Sequence, residues 1–329
     1  MSSSVGVLGT GSCLPDRVVT NEEIADLVPG ATPEWILSRT GISTRRWARP
    51  EQATSDLAAV AAARALRRAG VPPDRITHLI LATSTGDHPQ PPTSCLVQDL
   101  IGARAAACVD VNAVCAGFVY ALDLARSLVA TRPGAIALVI GADVYSRILD
   151  LTDRRTAVLM GDGAGAAVVG EVPEPGVLDS ELISFGESHD LIKVEAGGSR
   201  VPTTADTVAA GLHHFTMRGR DVRDFVMNTL PPLLDEVVGR AGLTYADISC
   251  FVPHQANAAL LRALTVHCGL KEAQAHITAD RYGNLGSASV PVALDDAVRS
   301  GRIRTGDLVL LAGFGGGMSV GTALLRWTA

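Results

Sequence analysis

Hydrophobic positions along the chain fall into two kinds of segment that take turns. Short apolar runs such as "ITHLILAT" (76–83), "AIALVIGAD" (135–143), "ISCFVP" (248–253) and "DLVLLAGF" (307–314) have the length and residue types of buried strands. Between them lie longer segments with helical spacing. "ATSDLAAVAAARALRRAG" reads as an amphipathic helix stopped by Gly70, and "RDFVMNTLPPLLDEVVGRAG" as its counterpart further on. "CAGFVYALDLARSLVAT" (115–131) is apolar nearly all round, which predicts a helix buried on most sides. "SASVPVALDDAVRSG" reads as a second such helix, and "TAVLMGDGAGAAVVG" and "GMSVGTALLRW" as further strands. Strands alternating with helices predict an α/β fold with mostly parallel or mixed sheets.

The pattern occurs twice. Ala69 and Ala241, Ile76 and Ile248, the "YALD" at 120 and "VALD" at 292, and the "LVIG" at 138 and "LLAG" at 310 are all separated by 172 positions. One offset recurring over distant segments predicts a duplicated unit. Pro and Gly accumulate at "EVPEPG" (171–176), which places the boundary between halves 1–172 and 173–329. One buried helix from each half, packed between two sheets, predicts a layered α/β/α/β/α arrangement.

Composition narrows the function classes. The 329 residues are 47% hydrophobic and 19% charged, enough to bury a large core. A formal net charge of −6 speaks against nucleic acid as a partner. The opening "MSSSVGVLGTGS" lacks a charged segment followed by an apolar one, so no secretory signal is expected. No apolar run is expected to reach the roughly 18 residues that span a bilayer. Six cysteines without CxxC spacing read as free thiols of a cytoplasmic protein. His213–His214 has no ligand partner at useful spacing, so no metal is expected.

On the repeat, Cys115 corresponds to Ser287, and both precede a buried helix. Helix N-termini favour negative charge, which predicts a thiol pKa lowered from about 8.5. Local context admits both a packing cysteine and a nucleophile. His254 in "FVPHQAN" leaves a strand where α/β folds open their crevices, and Asn284 sits in the Gly-flanked loop of "DRYGNLGSAS". Taken singly, the first reads equally as a structural histidine and the second as a turn former. The repeat brings the two helix starts together, so Cys115 and Asn284 should converge with His254 on the same side. "GFGGGMSVG" (313–321) offers closely approachable backbone N–H groups, suited to a tight connection or to an oxyanion hole. Neither it nor "GDGAG" (161–165) has the phosphate-loop pattern.

Cysteine, histidine, asparagine and a terminal glycine loop in this order resemble the thiolase superfamily, and within it β-ketoacyl-ACP synthase III. The resemblance runs through "GTGSCLPDRVVTNEEI", "PEWILSRTGISTRR", "CAGFVYAL", "TDRRTAVLMGDGAGAAV", "VPHQAN", "GNLGSASVP" and "FGGGMSVG". It implies the thiolase fold, Cys115 as acyl-accepting nucleophile, the N–H groups of Cys115 and Gly316 as oxyanion hole, and His254 with Asn284 on the second thioester's carbonyl. It implies coenzyme A and pantetheine contacts at Trp35, Arg39, Arg154, Gly219 and Asn257, and an acyl pocket of Gln90, Tyr145, Met160, Met217 and Phe314. It further implies a homodimer, an acyl carrier protein as partner, acyl-CoA or acyl-ACP as substrate, and no permanently bound cofactor. Gln90 stands where family members place an aromatic residue reaching from the partner subunit. Ala259, His267 and Cys268 stand where the family has basic residues that dock the carrier, while Arg220 and Arg223 offer charge at the tunnel mouth. These departures point to an altered carrier interaction or a different donor. The resemblance implies decarboxylative condensation of an acyl-enzyme with malonyl-ACP. Two alternatives are acyl transfer to an alcohol or amine without a carbon–carbon bond, and a silent binding protein on the same fold.

Overall fold

The computed structural model describes residues 4–329; Met1–Ser3, the start of the segment read for a leader, lie outside the described residues. The first sheet is built from β1 (Val5–Cys13), β2 (His78–Ala82), β3 (Ala107–Val111), β4 (Ala137–Val144) and β5 (Asp162–Glu171), in spatial order β1-β5-β4-β2-β3. The second takes β6 (Val177–Ser184), β7 (Cys250–Pro253), β8 (Leu308–Gly315) and β9 (Ser319–Arg326), in order β6-β9-β8-β7. Each sheet pairs two strands antiparallel to their neighbours and adds parallel strands at one end. The second sheet repeats the first without a partner for β3. Its β7 begins 172 positions after β2 and its β6 172 after β1.

Six main helices complete the layers: α1 (Thr54–Ala69), α2 (Thr93–Ile101), α3 (Gly117–Thr131), α4 (Gly219–Arg240), α5 (Ala258–His267) and α6 (Ser289–Arg299). Three apolar clusters show how they stack. Leu57, Ala61 and Leu66 of α1 and Val97 of α2 pack on Leu79, Leu138 and Val168 of the first sheet. Phe118, Val119 and Leu122 of α3 and Val290 and Leu294 of α6 lie between Ile80 and Val139 on one side and Val252, Val309 and Leu311 on the other. Leu230 and Leu234 of α4 and Leu261 of α5 cover Phe251, Leu310 and Leu324 on the outer face of the second sheet. Alternate residues of each central strand thus serve two different cores, the consequence of period-2 side-chain alternation in sheets buried on both faces. The result is the five-layer α/β/α/β/α order.

Three details differ from the expectations. Strands β1, β3 and β6 were not anticipated, because glycine and polar residues interrupt their apolar pattern. In β1 the reason is contact: a Cβ on Gly11 would lie 2.4 Å from the Ala61 carbonyl oxygen, so only glycine lets α1 settle on the strand. Helix α3 is buried over its first turns, but Leu124 and Leu128, one turn apart, are exposed. Against expectation, Val114–Thr131 forms an 18-residue stretch apolar enough by length and composition to cross a bilayer; half of it is buried in the fold, between the two sheets.

The paired prolines of α4 leave a gap that another element fills. Pro231 has no N–H to offer the Met227 carbonyl. His267 Nε2 at the end of α5 lies 2.9 Å from that oxygen and supplies the missing donor. A side chain at a position where the family resemblance led us to expect a docking base is thereby engaged in helix packing.

Candidate active site

The chain reaches Cys115 through a strained step. Val114 has φ +46°, the one positive φ at a non-glycine residue among the described residues, and it is β-branched. Such a conformation costs on the order of 1–3 kcal/mol. It is followed by a 3₁₀ turn, Val114–Ala116, that opens into α3. The equivalent turn Gly286–Ala288 opens into α6, 172 residues on. There Gly286 has φ +58°, and a Cβ on it would lie 2.3 Å from Tyr145 Cε2 and 2.4 Å from Asp143 Oδ2. The two turns meet at the seam between the halves.

Short links along the seam tie the segments that carry Cys115, His254 and Asn284 to one another. Gly315 lies directly against Cys115, for its Cβ would be 2.6 Å from the cysteine nitrogen. The neighbouring Phe314 ring stands edge-on to His254, centroids 5.0 Å apart. The His254 N–H donates to the Ala312 carbonyl at 2.6 Å, extending the β7–β8 pairing by one residue. Asn284 is fixed at its backbone, its N–H donating to Leu159 O and its carbonyl accepting from Gly161 N–H, both at 2.8 Å. Its Oδ1 accepts from Gly286 N–H at 2.9 Å, which turns the Nδ2 donors away from that bond. Tyr145, beside Gly286, shares a hydrogen bond with Ser84 Oγ at 2.8 Å. All three candidate side chains are buried: Cys115 is 7% exposed, His254 2% and Asn284 8%.

Burial controls the electrostatics. It pushes the Cys115 thiol far above its ordinary value, with the nearby Asp143 carboxylate acting in the same direction. The lowered thiol pKa expected from a helix start is therefore overturned: desolvation by two sheets outweighs the dipole of one helix. Burial also pushes His254 down to about 3, so its imidazole is neutral, and its Nδ1 has no partner. The resting pair is thiol and neutral imidazole.

Asp143, Ser84 and Val114 were not anticipated. Asp143 Oδ1 accepts from Ser84 N–H at 2.9 Å and Thr85 Oγ1 at 2.8 Å; Oδ2 accepts from Ser287 N–H at 2.7 Å. This buried carboxylate ties the β2 exit of one half to the α6 start of the other. Ser287, the repeat counterpart of Cys115, donates to Ala82 O at 2.8 Å and is a structural plug. The repeat flagged Ser287; nothing in the sequence marked Val114 or Asp143.

The remaining expected residues divide by location. Arg39, Gly219 and Asn257 line one 310 Å³ cavity with Arg223, Ala259 and Leu260. Asn257 also caps α5, accepting from Leu260 N–H at 2.8 Å. Trp35 lies one turn before Arg39, and the Arg154 guanidinium stands 4.9 Å over its ring. Arg220 is exposed nearby on the first turn of α4. Gly316 follows Gly315, its Cα facing Val114 and Ile192. Tyr145, Met160 and Met217 share one apolar cluster with Phe215 and Ile192, whereas Phe314 packs on His254 and in the outer core of the second sheet. Gln90 is exposed on the connection between β2 and α2, so within a single chain it does not join the buried set. The His213 and His214 rings lie with centroids 4.0 Å apart, tilted by 45° to each other. A larger cavity, 850 Å³, lies on the outer face between α1 and α2 and contains none of these side chains.

Comparison with known proteins shows the family. Family profiles match at residues 109–186, described as 3-oxoacyl-[acyl-carrier-protein (ACP)] synthase III, and at 238–327, described as its C-terminal part. The chain is 49% identical over 324 residues to an acetoacetyl CoA synthase of Streptomyces sp. (strain CL190), covering 98% of each. It is 44% identical over 331 residues to the β-ketoacyl-[acyl-carrier-protein] synthase III of Clostridioides difficile (strain 630), covering 100% of both. The crystal structure of the priming β-ketosynthase from the R1128 polyketide pathway superposes with a TM-score of 0.92 at 34% identity, over 99% of this chain and 97% of that one. By these matches over nearly its whole length, the chain belongs to the β-ketoacyl-ACP synthase III family of the thiolase superfamily.

Proposed function

We propose that the protein is a decarboxylating condensing enzyme that primes fatty-acid or polyketide chains. The half 1–172 carries the acyl group and the half 173–329 activates the extender. In the first half-reaction the Cys115 sulfur attacks an acyl thioester, its proton passes to the departing thiol, and an acyl-enzyme forms. The N–H groups of Cys115 and Gly316 hold the oxyanion, each such donor contributing about 10²–10³-fold. In the second, His254 and Asn284 donate hydrogen bonds to the thioester carbonyl of malonyl-ACP. Carbon dioxide leaves, the enolate carbon attacks the acyl-enzyme, and the 3-oxoacyl product departs as Cys115 regains its proton.

Full-length similarity to β-ketoacyl-ACP synthase III relatives carries this reading, and the burial of His254, which disfavours its charged form, fits it. An imidazole held down to about 3 cannot accept a proton well near neutrality, but it donates a hydrogen bond, which is what an enolate oxygen requires. Transfer to an alcohol or amine would need it as general base, and burial removes that capacity. The test is labelled carbon dioxide release from malonyl-ACP together with intact mass after incubation with acyl-CoA. A competent acyl-enzyme that releases no carbon dioxide would exclude condensation, and an absent adduct would support the silent binding protein.

The Arg154–Trp35 pair and the Arg39–Asn257–Gly219 cavity support a coenzyme A or carrier-borne pantetheine donor, with Arg223 and Arg220 at the mouth. The chemistry needs no permanently bound cofactor. Six free thiols support a cytoplasmic location. The sheet edge at β3, with exposed Val109, and the exposed Leu124 and Leu128 of α3 support a homodimer joined along that edge. In such a dimer the Gln90 loop would reach its acyl pocket across the interface.

A further inference from the structure

Away from the β3 edge, at the opposite margin of the first sheet, a 420 Å³ cavity opens at the seam between the halves. Ser12, Leu14, Arg64 and Arg68 line it from the first half, and Tyr282, Asp295 and Arg299 from the second. It shares no residue with the Cys115 site or with the cavity at Arg39. Among the lining residues three guanidinium groups face one carboxylate, and the adjoining Asp296 pairs with Arg299 from outside the lining at 3.5 Å, so the walls keep an excess of positive charge carried by Arg64 and Arg68. Asp295, buried at the cavity floor, is already saturated: Oδ1 accepts from Thr10 Oγ1 at 2.9 Å and from Arg68, and Oδ2 from Ser12 Oγ at 2.6 Å and Arg299 Nε at 3.0 Å. The carboxylate thus works as an anchor that aims the arginines. It takes Arg68 Nη1, which also donates to the Thr10 carbonyl at 3.1 Å, and Arg299 Nε; Arg299 Nη2 pairs with Asp296 Oδ2 at 3.5 Å, which leaves Arg68 Nε and Nη2 and Arg299 Nη1 for another acceptor. Arg64 donates to the Ser12 carbonyl at 2.6 Å through Nη1, with its Nη2 and Nε uncommitted. Arg281, itself neutralised by Asp296 Oδ1 at 3.1 Å, lies over the Tyr282 ring at 4.8 Å and bonds its hydroxyl at 3.2 Å, orienting the phenol at the rim.

Arginines pre-aimed by a buried carboxylate present convergent N–H donors, the arrangement that suits bidentate recognition of phosphate oxygens. The volume falls within the 300–1,000 Å³ range of small-molecule sites. We infer that this seam cavity is a binding site for a phosphate-bearing small molecule, separate from the coenzyme mouth. Tyr282 lies two residues before Asn284, so the ligand would sit against the segment that carries the candidate amide.

The test is isothermal titration of the full chain with inorganic pyrophosphate at constant ionic strength. With the coenzyme mouth filled by saturating coenzyme A, saturable binding at one further site per chain is expected. Arg64→Gln and Arg299→Gln should each weaken it by about tenfold, the loss of one charge-assisted pair. Arg39→Gln, at the coenzyme mouth, should leave it unchanged. Arg64 is exposed with a single hydrogen bond, so its variants should fold; Arg64→Lys, which keeps the charge and loses the fork, should give an intermediate affinity. Affinity unchanged in both Arg64→Gln and Arg299→Gln, loss confined to Arg39→Gln, or no saturable heat at millimolar pyrophosphate would each overturn the inference.

Discussion

Holding His254 neutral should leave a mark on acid stability. In an unfolded chain this imidazole titrates at its ordinary value of 6.5, whereas in the fold burial holds it down to about 3. Between those two values the unfolded state binds a proton that the folded state refuses. Its contribution to stability is therefore complete above pH 6.5 and is lost progressively as pH falls toward 3, at about 1.4 kcal/mol per pH unit for one proton. Replacing His254 with Asn removes the titration while keeping a small hydrogen-bonding side chain. Urea unfolding of both proteins at pH 7.5 and 5.5 isolates it, since every other group cancels in the difference. Wild type should lose about 1.4 kcal/mol more than His254→Asn over that interval. An equal loss in both would mean that the imidazole titrates normally in the fold, and the argument for a neutral donor at the thioester carbonyl would fail with it.

Other outcomes follow from the same geometry. Cys115→Ala should abolish the acyl adduct seen by intact mass. His254→Ala and Asn284→Ala should keep the adduct while carbon dioxide release falls by about 10²–10³-fold; equal loss of acylation in both would contradict their assignment to the second half-reaction. Gly286→Ala places a methyl group against Tyr145 and Asp143 at φ +58°. It should destabilise the chain in urea by at least about 2 kcal/mol, combining left-handed strain with overpacking. His267→Ala leaves the Met227 carbonyl without a donor opposite Pro231 and should cost about 0.5–1.5 kcal/mol by the same measurement. Val109→Lys on the exposed β3 edge should shift the sedimentation of a homodimer toward monomer.

Much of this architecture was legible before any coordinates. The 172-residue offset found from Ala69/Ala241 and Ile76/Ile248 reappears between the turns at Val114 and Gly286 and between β2 and β7. Duplicated sequence folds into duplicated local structure because both halves bury the same apolar pattern. The order of cysteine, histidine, asparagine and glycine loop likewise marked the site, since each motif is local. What the sequence did not carry was the environment each motif would meet. Helix-start reasoning predicted a lowered thiol pKa at Cys115. The structure reverses its direction, because desolvation depends on what the other half stacks over the sulfur. Asp143 gave no local signal, yet it joins three segments far apart in the chain. The exposed face at Leu124 and Leu128, the glycine-bearing strand β1 and the surface position of Gln90 were decided in the same way. Periodicity states that a residue is apolar or a turn former, but only packed layers determine which neighbours exclude water from it.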